Sequence, residues 1–292
     1  MSNSLKIGVV SGLIAGFTGG IILEIFAGIA VSMGLWEPYL RPIATNNIAV
    51  DIPLGIVWGI IFGIIYSRAY YVIPNKGVAK GLVYGFFLYL IAPIRIATFL
   101  VPYAAILTAL AIVFCWFFTL IVYALLLEIL YAFLGRKYIP TREEPKTITY
   151  DMKSGLLPGA IAGIAQGLTA SIANLISYIT RLFGPQAMPG APEKFILDFW
   201  ISQSGSHIVL NIVWGIVFGL MFPKVYSLVP GKGITKGLCY SFVIFLTSSF
   251  LTATYWIAWG ALSTAVWQDF IAFFAFLAFG LVLGALYRKP SD

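Results

Sequence analysis

Long apolar stretches leave this chain few alternatives to a membrane-embedded fold. The first extends from Leu5 to about Met33, and beyond Lys6 its only charged side chain is Glu24. A helix needs roughly 20 apolar residues to cross about 30 Å of hydrocarbon, and several stretches of this chain are that long. Only 10% of the residues are charged, whereas a soluble domain has about a quarter. The sequence therefore predicts an all-α polytopic membrane protein with eight transmembrane helices and excludes a soluble core.

One segment occurs twice in the chain. The residues from Ile52 to Tyr84 are identical at 17 of 33 positions to the residues found 156 positions later, which begin at Ile208. Such identity within one chain indicates an internal duplication. Because four helices per copy give both copies the same orientation, we expect two parallel four-helix repeats. The predicted divisions are residues 1–135 for the first repeat, 136–153 for a polar cytoplasmic linker and 154–292 for the second repeat.

Glycines at every fourth position mark the first helix of each half. On a helix they share one face, against which a second backbone can pack closely. The repeated segment adds a Trp-Gly-x-x-x-Gly pattern, for which close helix packing is the simplest reading, with a tryptophan-lined pathway as the alternative. The predicted packing residues are Gly8, Gly12, Gly16, Gly20, Trp58, Gly59 and Gly63, and then Gly155, Gly159, Gly163, Gly167, Trp214, Gly215 and Gly219.

The glycine ladders are 147 residues apart, so nine extra residues precede the repeated segment in the second half. They predict a short interfacial or re-entrant helix, Phe195 to Ser202, ahead of a span that begins near Ser206.

Lysine and arginine are distributed unequally between the two sides of an eight-helix arrangement. Fourteen of the 18 basic residues fall on the side that holds both termini and the linker, and the other four are Arg41, Arg95, Arg181 and Lys194. Cytoplasmic loops carry an excess of basic residues. We therefore expect a multi-pass protein of the cell membrane with cytoplasmic N- and C-termini.

Several ionisable and polar residues fall inside the predicted helices, in their outer halves. An ionisable group at the bilayer centre costs roughly 2.5 to 3.5 kcal/mol, so it needs a partner, a cavity or a position near an interface. The duplication pairs Asp51 with His207 and Gly55 with Asn211. We expect Asp51 and His207 to face each other across the repeat interface. The predicted polar binding site consists of Asp51, His207 and Asn211, with Arg95 and Glu24 as neutralising partners.

Two functions remain open at this point. Parallel repeats with polar groups at their interface favour a small-solute or ion transporter. The alternative is a membrane scaffold or accessory subunit of a larger complex, in which the polar residues are simply hydrated at the headgroup level. The sequence does not identify a solute.

Enzyme signatures are absent from the sequence. There is no H-E-x-x-H or G-x-S-x-G pattern, and the chain has one histidine. We therefore expect no enzyme activity, catalytic residue, metal or cofactor. Catalysis by a pair of aspartates stays open as the alternative, because Asp51, Asp198 and Asp269 could form one. The expected partners are the lipid bilayer and a small solute or ion, with a membrane protein or a second copy of the chain as alternatives. Nucleic acid is not expected, because the basic residues lie in short loops.

Overall fold

The computed structural model describes residues 3–35, 48–100, 106–136, 152–180, 193–258 and 262–287. Within these residues the chain is helical, and eight helices are long and apolar enough to cross a membrane. The predicted all-α fold with eight spanning helices is confirmed. The predicted arrangement as parallel repeats, with its three divisions, stays a prediction. Residues 137–151, which form most of the predicted linker, lie outside the described residues, as do Arg41 and Arg181.

The chain divides into two compact units, Met1–Ile148 and Thr149–Asp292. Unit 1 contains α1 (Asn3–Ser32), α2 (Ile48–Ala69), α3 (Val78–Tyr89), a π-helical turn (Leu90–Ile94), α4 (Arg95–Leu100) and α5 (Ile106–Gly135). Unit 2 contains a 3₁₀ turn (Met152–Gly155), α6 (Leu156–Thr180), α7 (Glu193–Val225), α8 (Gly233–Phe245), a π-helical turn (Leu246–Phe250), α9 (Leu251–Ala258) and α10 (Leu262–Leu286). In each unit the π-helical turn joins two helices into one spanning element.

The α7 helix includes the residues for which a separate short helix was expected. It runs without interruption from Glu193 to Val225, so the separate helix expected over Phe195 to Ser202 is wrong. No proline occurs between Glu193 and Pro223 to interrupt the backbone hydrogen bonds, and the added residues therefore lengthen the spanning helix at its N-terminal end.

The first two helices of unit 1 meet through their glycines. An added Cβ at Gly8 would lie 2.5 Å from the carbonyl oxygen of Gly63, and one at Gly20 would lie 2.7 Å from that of Asp51. The two helices are therefore antiparallel and in contact backbone to backbone. Unit 2 has the same contact between α6 and α7, where an added Cβ at Gly215 would lie 2.5 Å from the oxygen of Gly159.

Trp58 and Trp214 are both buried, and each ring lies 5.8 Å from a phenylalanine ring one turn further along its helix, Phe62 and Phe218. The repeated tryptophans thus contribute to the interior of their own units.

The two π-helical turns lie 156 residues apart, at the same position of the repeated sequence. The first contains Pro93, whereas the second, Leu246–Phe250, contains no proline. In the second turn Thr247 and Ser248 donate hydrogen bonds to the carbonyl oxygens of Val243 and Ile244, at 2.8 and 2.6 Å. Hydroxyl groups can bond to backbone oxygens that a distorted helix leaves without an amide partner. The proline is therefore not required for the turn.

Candidate functional site

Asp51 and Glu24 lie at one end of the α1–α2 pair. Asp51 is in the first turn of α2 and is only 3% exposed, and its carbonyl oxygen lies against Gly20 of α1. Glu24 follows Gly20 by one helical turn, is half-buried, and its Oε2 atom has no hydrogen-bond partner among the described residues. A carboxylate in the first turn also interacts favourably with the helix dipole. Asp51 therefore has a local structural reason for its position as well as a candidate functional one.

Arg95 lies at the same level of unit 1 as Asp51. The Tyr84 hydroxyl donates a 2.8 Å hydrogen bond to the carbonyl oxygen of Phe62, which fixes α3 against α2. Arg95 is eleven residues after Tyr84, and Asp51 is eleven residues before Phe62. At 1.5 Å per residue both lie about 16 Å from that hydrogen bond. Arg95 is 8% exposed, and its guanidinium carbon lies 5.1 Å from the centre of the Phe99 ring.

His207 and Asn211 lie one turn apart on α7 in unit 2. Asn211 is 3% exposed, and its side-chain nitrogen donates a 2.8 Å hydrogen bond to the carbonyl oxygen of His207. Its Cβ atom lies 3.3 Å from the position of a Cβ added at Gly167. His207 is half-buried and lies roughly four turns inside its helix, unlike Asp51 at a helix start.

Three of the five predicted site residues, Glu24, Asp51 and Arg95, are thus found at one end of unit 1. The other two, His207 and Asn211, are neighbours in unit 2. The pairing of Asp51 with His207 joins the two units and stays a prediction.

A second buried polar group lies at the other end of unit 1, which we call the turn end because residues 70–77 connect α2 to α3 there. Glu128 of α5 is 1% exposed. The Tyr66 hydroxyl of α2 donates a hydrogen bond to its Oε2 atom, while its Oε1 atom is buried and has no hydrogen-bond partner among the described residues. Glu128 is also within electrostatic range of the Lys80 ammonium group.

Lys80 is held at the turn end by Tyr70, the first residue after α2. Its Nζ atom donates a 2.9 Å hydrogen bond to the carbonyl oxygen of Tyr70 and lies 4.0 Å from the centre of the Tyr70 ring. A cation close to the C-terminal end of a helix is stabilised by the helix dipole, and a cation over an aromatic face gains further electrostatic energy. Lys80 therefore links the start of α3 to the residue that follows α2, by a hydrogen bond and a cation–π contact.

Unit 2 repeats this arrangement without the acid. Lys236 donates a 2.6 Å hydrogen bond to the carbonyl oxygen of Tyr226 and lies 3.9 Å from that ring, and Tyr240 bonds to Phe218 at 2.8 Å as Tyr84 does to Phe62. At the positions 156 residues after Tyr66 and Glu128, however, the chain has Phe222 and Gly284. The lysine and tyrosine framework therefore forms in unit 2 without a Tyr-Glu pair.

From the sequence, Glu128 falls near the cytoplasmic end of its predicted helix, where we expect it either to extend to the interface or to pair with a basic residue of the linker. The structure shows a buried side chain that accepts a hydrogen bond from Tyr66. Linker residues 137–151 lie outside the described residues, so pairing with a linker residue stays a prediction. Comparison of the repeats could have indicated the Tyr66–Glu128 pair. Both residues are polar, whereas their counterparts Phe222 and Gly284 are apolar.

Comparison of the chain with models of protein families, with curated proteins and with solved structures found no match. The eight apolar helices make it an integral membrane protein.

Proposed function

We propose that the protein is a small-solute or ion transporter of the cell membrane, built from two parallel four-helix repeats with cytoplasmic termini. The observation that carries the proposal is the burial of Asp51 and Arg95 at one level within spanning helices of unit 1. Charged side chains inside a membrane are costly and commonly mark ion or substrate pathways.

The divergence between the repeated segments supports the same function. Where unit 1 has Asp51 and Gly55, unit 2 has His207 and Asn211. A duplication that served packing alone would be expected to keep apolar residues at these positions. In the proposal Asp51, His207 and Asn211 contact the solute, and Arg95 and Glu24 balance its charge.

The experiment is a flux measurement on purified protein in liposomes, with gradients of Na⁺, K⁺, Cl⁻ and small charged organic solutes applied in turn. We expect flux of one of these classes, and a loss of at least about tenfold in Asp51→Asn and in His207→Ala, since each removes a group that binds the solute. Arg68→Gln, at an exposed position at the end of α2, is the control and should transport normally. If all three variants transport as fast as the wild-type protein, Asp51 and His207 do not form the transport site.

The alternative function is a membrane scaffold or accessory subunit. It is favoured by the backbone contact at the glycines of α1 and α2 and of α6 and α7, because helices in such close contact are well suited to hold a fixed shape. Absence of flux for every gradient, together with co-purification of a defined membrane protein in stoichiometric amount, would favour this function.

A further inference from the structure

The buried Tyr66–Glu128 pair differs from the proposed transport site in position and in chemistry. It lies at the turn end of unit 1, whereas Asp51 and Arg95 lie at the opposite end. It joins α2 to α5 by a hydrogen bond from a neutral phenol to a carboxyl group. One carboxyl oxygen is bonded and the other is buried without a hydrogen-bond partner among the described residues.

A purely structural role does not account for this pair. In unit 2 Phe222 occupies the position of Tyr66 and makes comparable ring contacts, at 4.9 Å from Tyr240 and 5.0 Å from Tyr287, against 4.9 Å from Tyr84 and 5.4 Å from Tyr131 for Tyr66. The same aromatic packing therefore forms without a carboxyl group. A buried acid costs free energy that apolar residues of similar shape avoid.

We propose that Glu128 is a proton-binding site that exchanges protons with water at the turn end of unit 1. In the protonated form the carboxyl group is neutral, and Oε2 accepts the Tyr66 hydrogen bond. When Glu128 releases its proton to water it becomes a carboxylate, which the Tyr66 hydroxyl and the Lys80 charge stabilise. Both forms are therefore compatible with the same surroundings, as a site that loads and unloads a proton requires.

Partly exposed side chains lie next to the pair. The Tyr70 ring is 5.5 Å from the Tyr66 ring and carries the Lys80 ammonium group on its face. Tyr70 and Lys80 are half-exposed, and Tyr71 is exposed in the turn after α2. The Tyr70 and Tyr71 rings are 5.6 Å apart. Among the described residues, these partly exposed polar side chains are where we place the exchange of the Glu128 proton with water.

A metal cation fits this site less well than a proton. The Lys80 ammonium group already places a positive charge near Glu128, and a second fixed cation would be repelled by it. Over the described part of the chain, no three His, Cys, Asp or Glu side chains are grouped so that they could hold a metal ion.

In the described ranges, which leave out residues 137–151, few charged and titratable groups lie near Glu128. Tyr66 and Tyr70 come from α2 and the turn after it, Lys80 and Tyr84 from α3, and Tyr131 from α5 itself. The charged residue of α1 at this end, Lys6, is exposed. The pH response of the site should therefore depend on Tyr66 and Lys80 above all.

Labelling of the full-length protein with dicyclohexylcarbodiimide tests the proposal, because this reagent modifies protonated carboxyl groups in apolar surroundings. After reaction at several values from about pH 5 to about pH 9, mass spectrometry of the digested protein locates the adducts. We expect Glu128 to be labelled at low pH and progressively less as the pH rises. Tyr66→Phe and Lys80→Gln should each move the midpoint of this profile to higher pH, since each removes a group that stabilises the carboxylate. A structural role alone would not move the midpoint.

The matched control is the double variant Tyr66→Phe, Glu128→Gly, which gives unit 1 the residues of unit 2. It should fold and lose the adduct. Infrared spectra of the wild-type protein supply a second readout, a carboxylic acid band that disappears with rising pH. Glu128 without an adduct at every pH, an adduct whose yield is independent of pH, or no pH-dependent carboxylic acid band would overturn the proposal. None of these readouts depends on transport.

Discussion

The Tyr66 hydroxyl of α2 donates a hydrogen bond to the carboxyl group of Glu128 in α5. Glu128 is buried, and its second oxygen has no hydrogen-bond partner among the described residues, so the hydrogen bond from Tyr66 carries much of the polar stabilisation of this carboxyl group. Loss of one partner of a buried hydrogen bond costs more than loss of both, because a lone polar group keeps its full desolvation penalty.

Tyr66→Phe should therefore reduce the free energy of unfolding by about 1 to 3 kcal/mol. The same change in a Glu128→Met background should cost much less, because no carboxyl group remains to lose its donor. Unfolding by sodium dodecyl sulfate in mixed micelles measures both values. Tyr131→Phe is the control, since Tyr131 touches the Tyr66 ring without bonding to Glu128. Equal costs for Tyr66→Phe in the two backgrounds would contradict the assigned role of the hydrogen bond.

At the scale of elements, glycines decide how closely the first two helices of each unit approach. Gly59 faces α1, and an added Cβ there would lie 2.6 Å from the Cα atom of Gly16. Real Cβ atoms essentially never come that close to backbone atoms, and the backbone cannot rotate away as a side chain can. Gly28 is on the same helix as Gly16 but has no atom within 4 Å of an added Cβ.

Gly59→Ala should therefore destabilise the protein by about 1 to 3 kcal/mol, through overpacking of α1 against α2. Gly28→Ala should be neutral or stabilising within about 1 kcal/mol, because alanine is the better helix former. Thermal unfolding of both variants in the same detergent compares them directly. If both behave alike, close packing at the glycines does not stabilise the pair.

The two π-helical turns differ in whether the local sequence indicates them. Pro93 predicts a distortion of its helix, and the distortion is a π-helical turn. The turn at Leu246–Phe250 has no such local signal and contains hydroxyl groups instead. A local sequence rule therefore identifies only one of the two turns.

At the scale of the whole molecule, the distribution of lysine and arginine predicts a single orientation. Fourteen of the 18 basic residues fall on the side of the termini and the linker, and this excess marks the cytoplasmic face of a membrane protein.

Cysteine labelling tests the orientation. In a background with Cys115→Ala and Cys239→Ala, the single cysteines Thr147→Cys and Lys76→Cys should react with a membrane-impermeant maleimide only after the cells are permeabilised. Ala44→Cys, between the first and second spans, should react in intact cells. Reaction of Thr147→Cys from outside intact cells would reverse the assignment.

The sequence by itself determined that this chain is an all-helical membrane protein with eight spans. Composition suffices for that, because inside a bilayer a backbone must satisfy its own hydrogen bonds and long apolar stretches do so as helices. It also identified Asp51 and Asn211 as polar residues within spans, and both are buried.

Only the tertiary structure decided what those helices place together. Glu128 lies 62 residues from Tyr66 along the chain, so their contact is not a local one. The position of a residue along its own helix does not show whether a neighbouring helix covers its side chain. The contact between Tyr66 of α2 and Glu128 of α5 accompanies the burial of a carboxyl group whose burial its own helix does not indicate. Burial and hydrogen bonding at such a position are properties of the assembled helices, since they depend on which side chains the neighbouring helices bring to the same level.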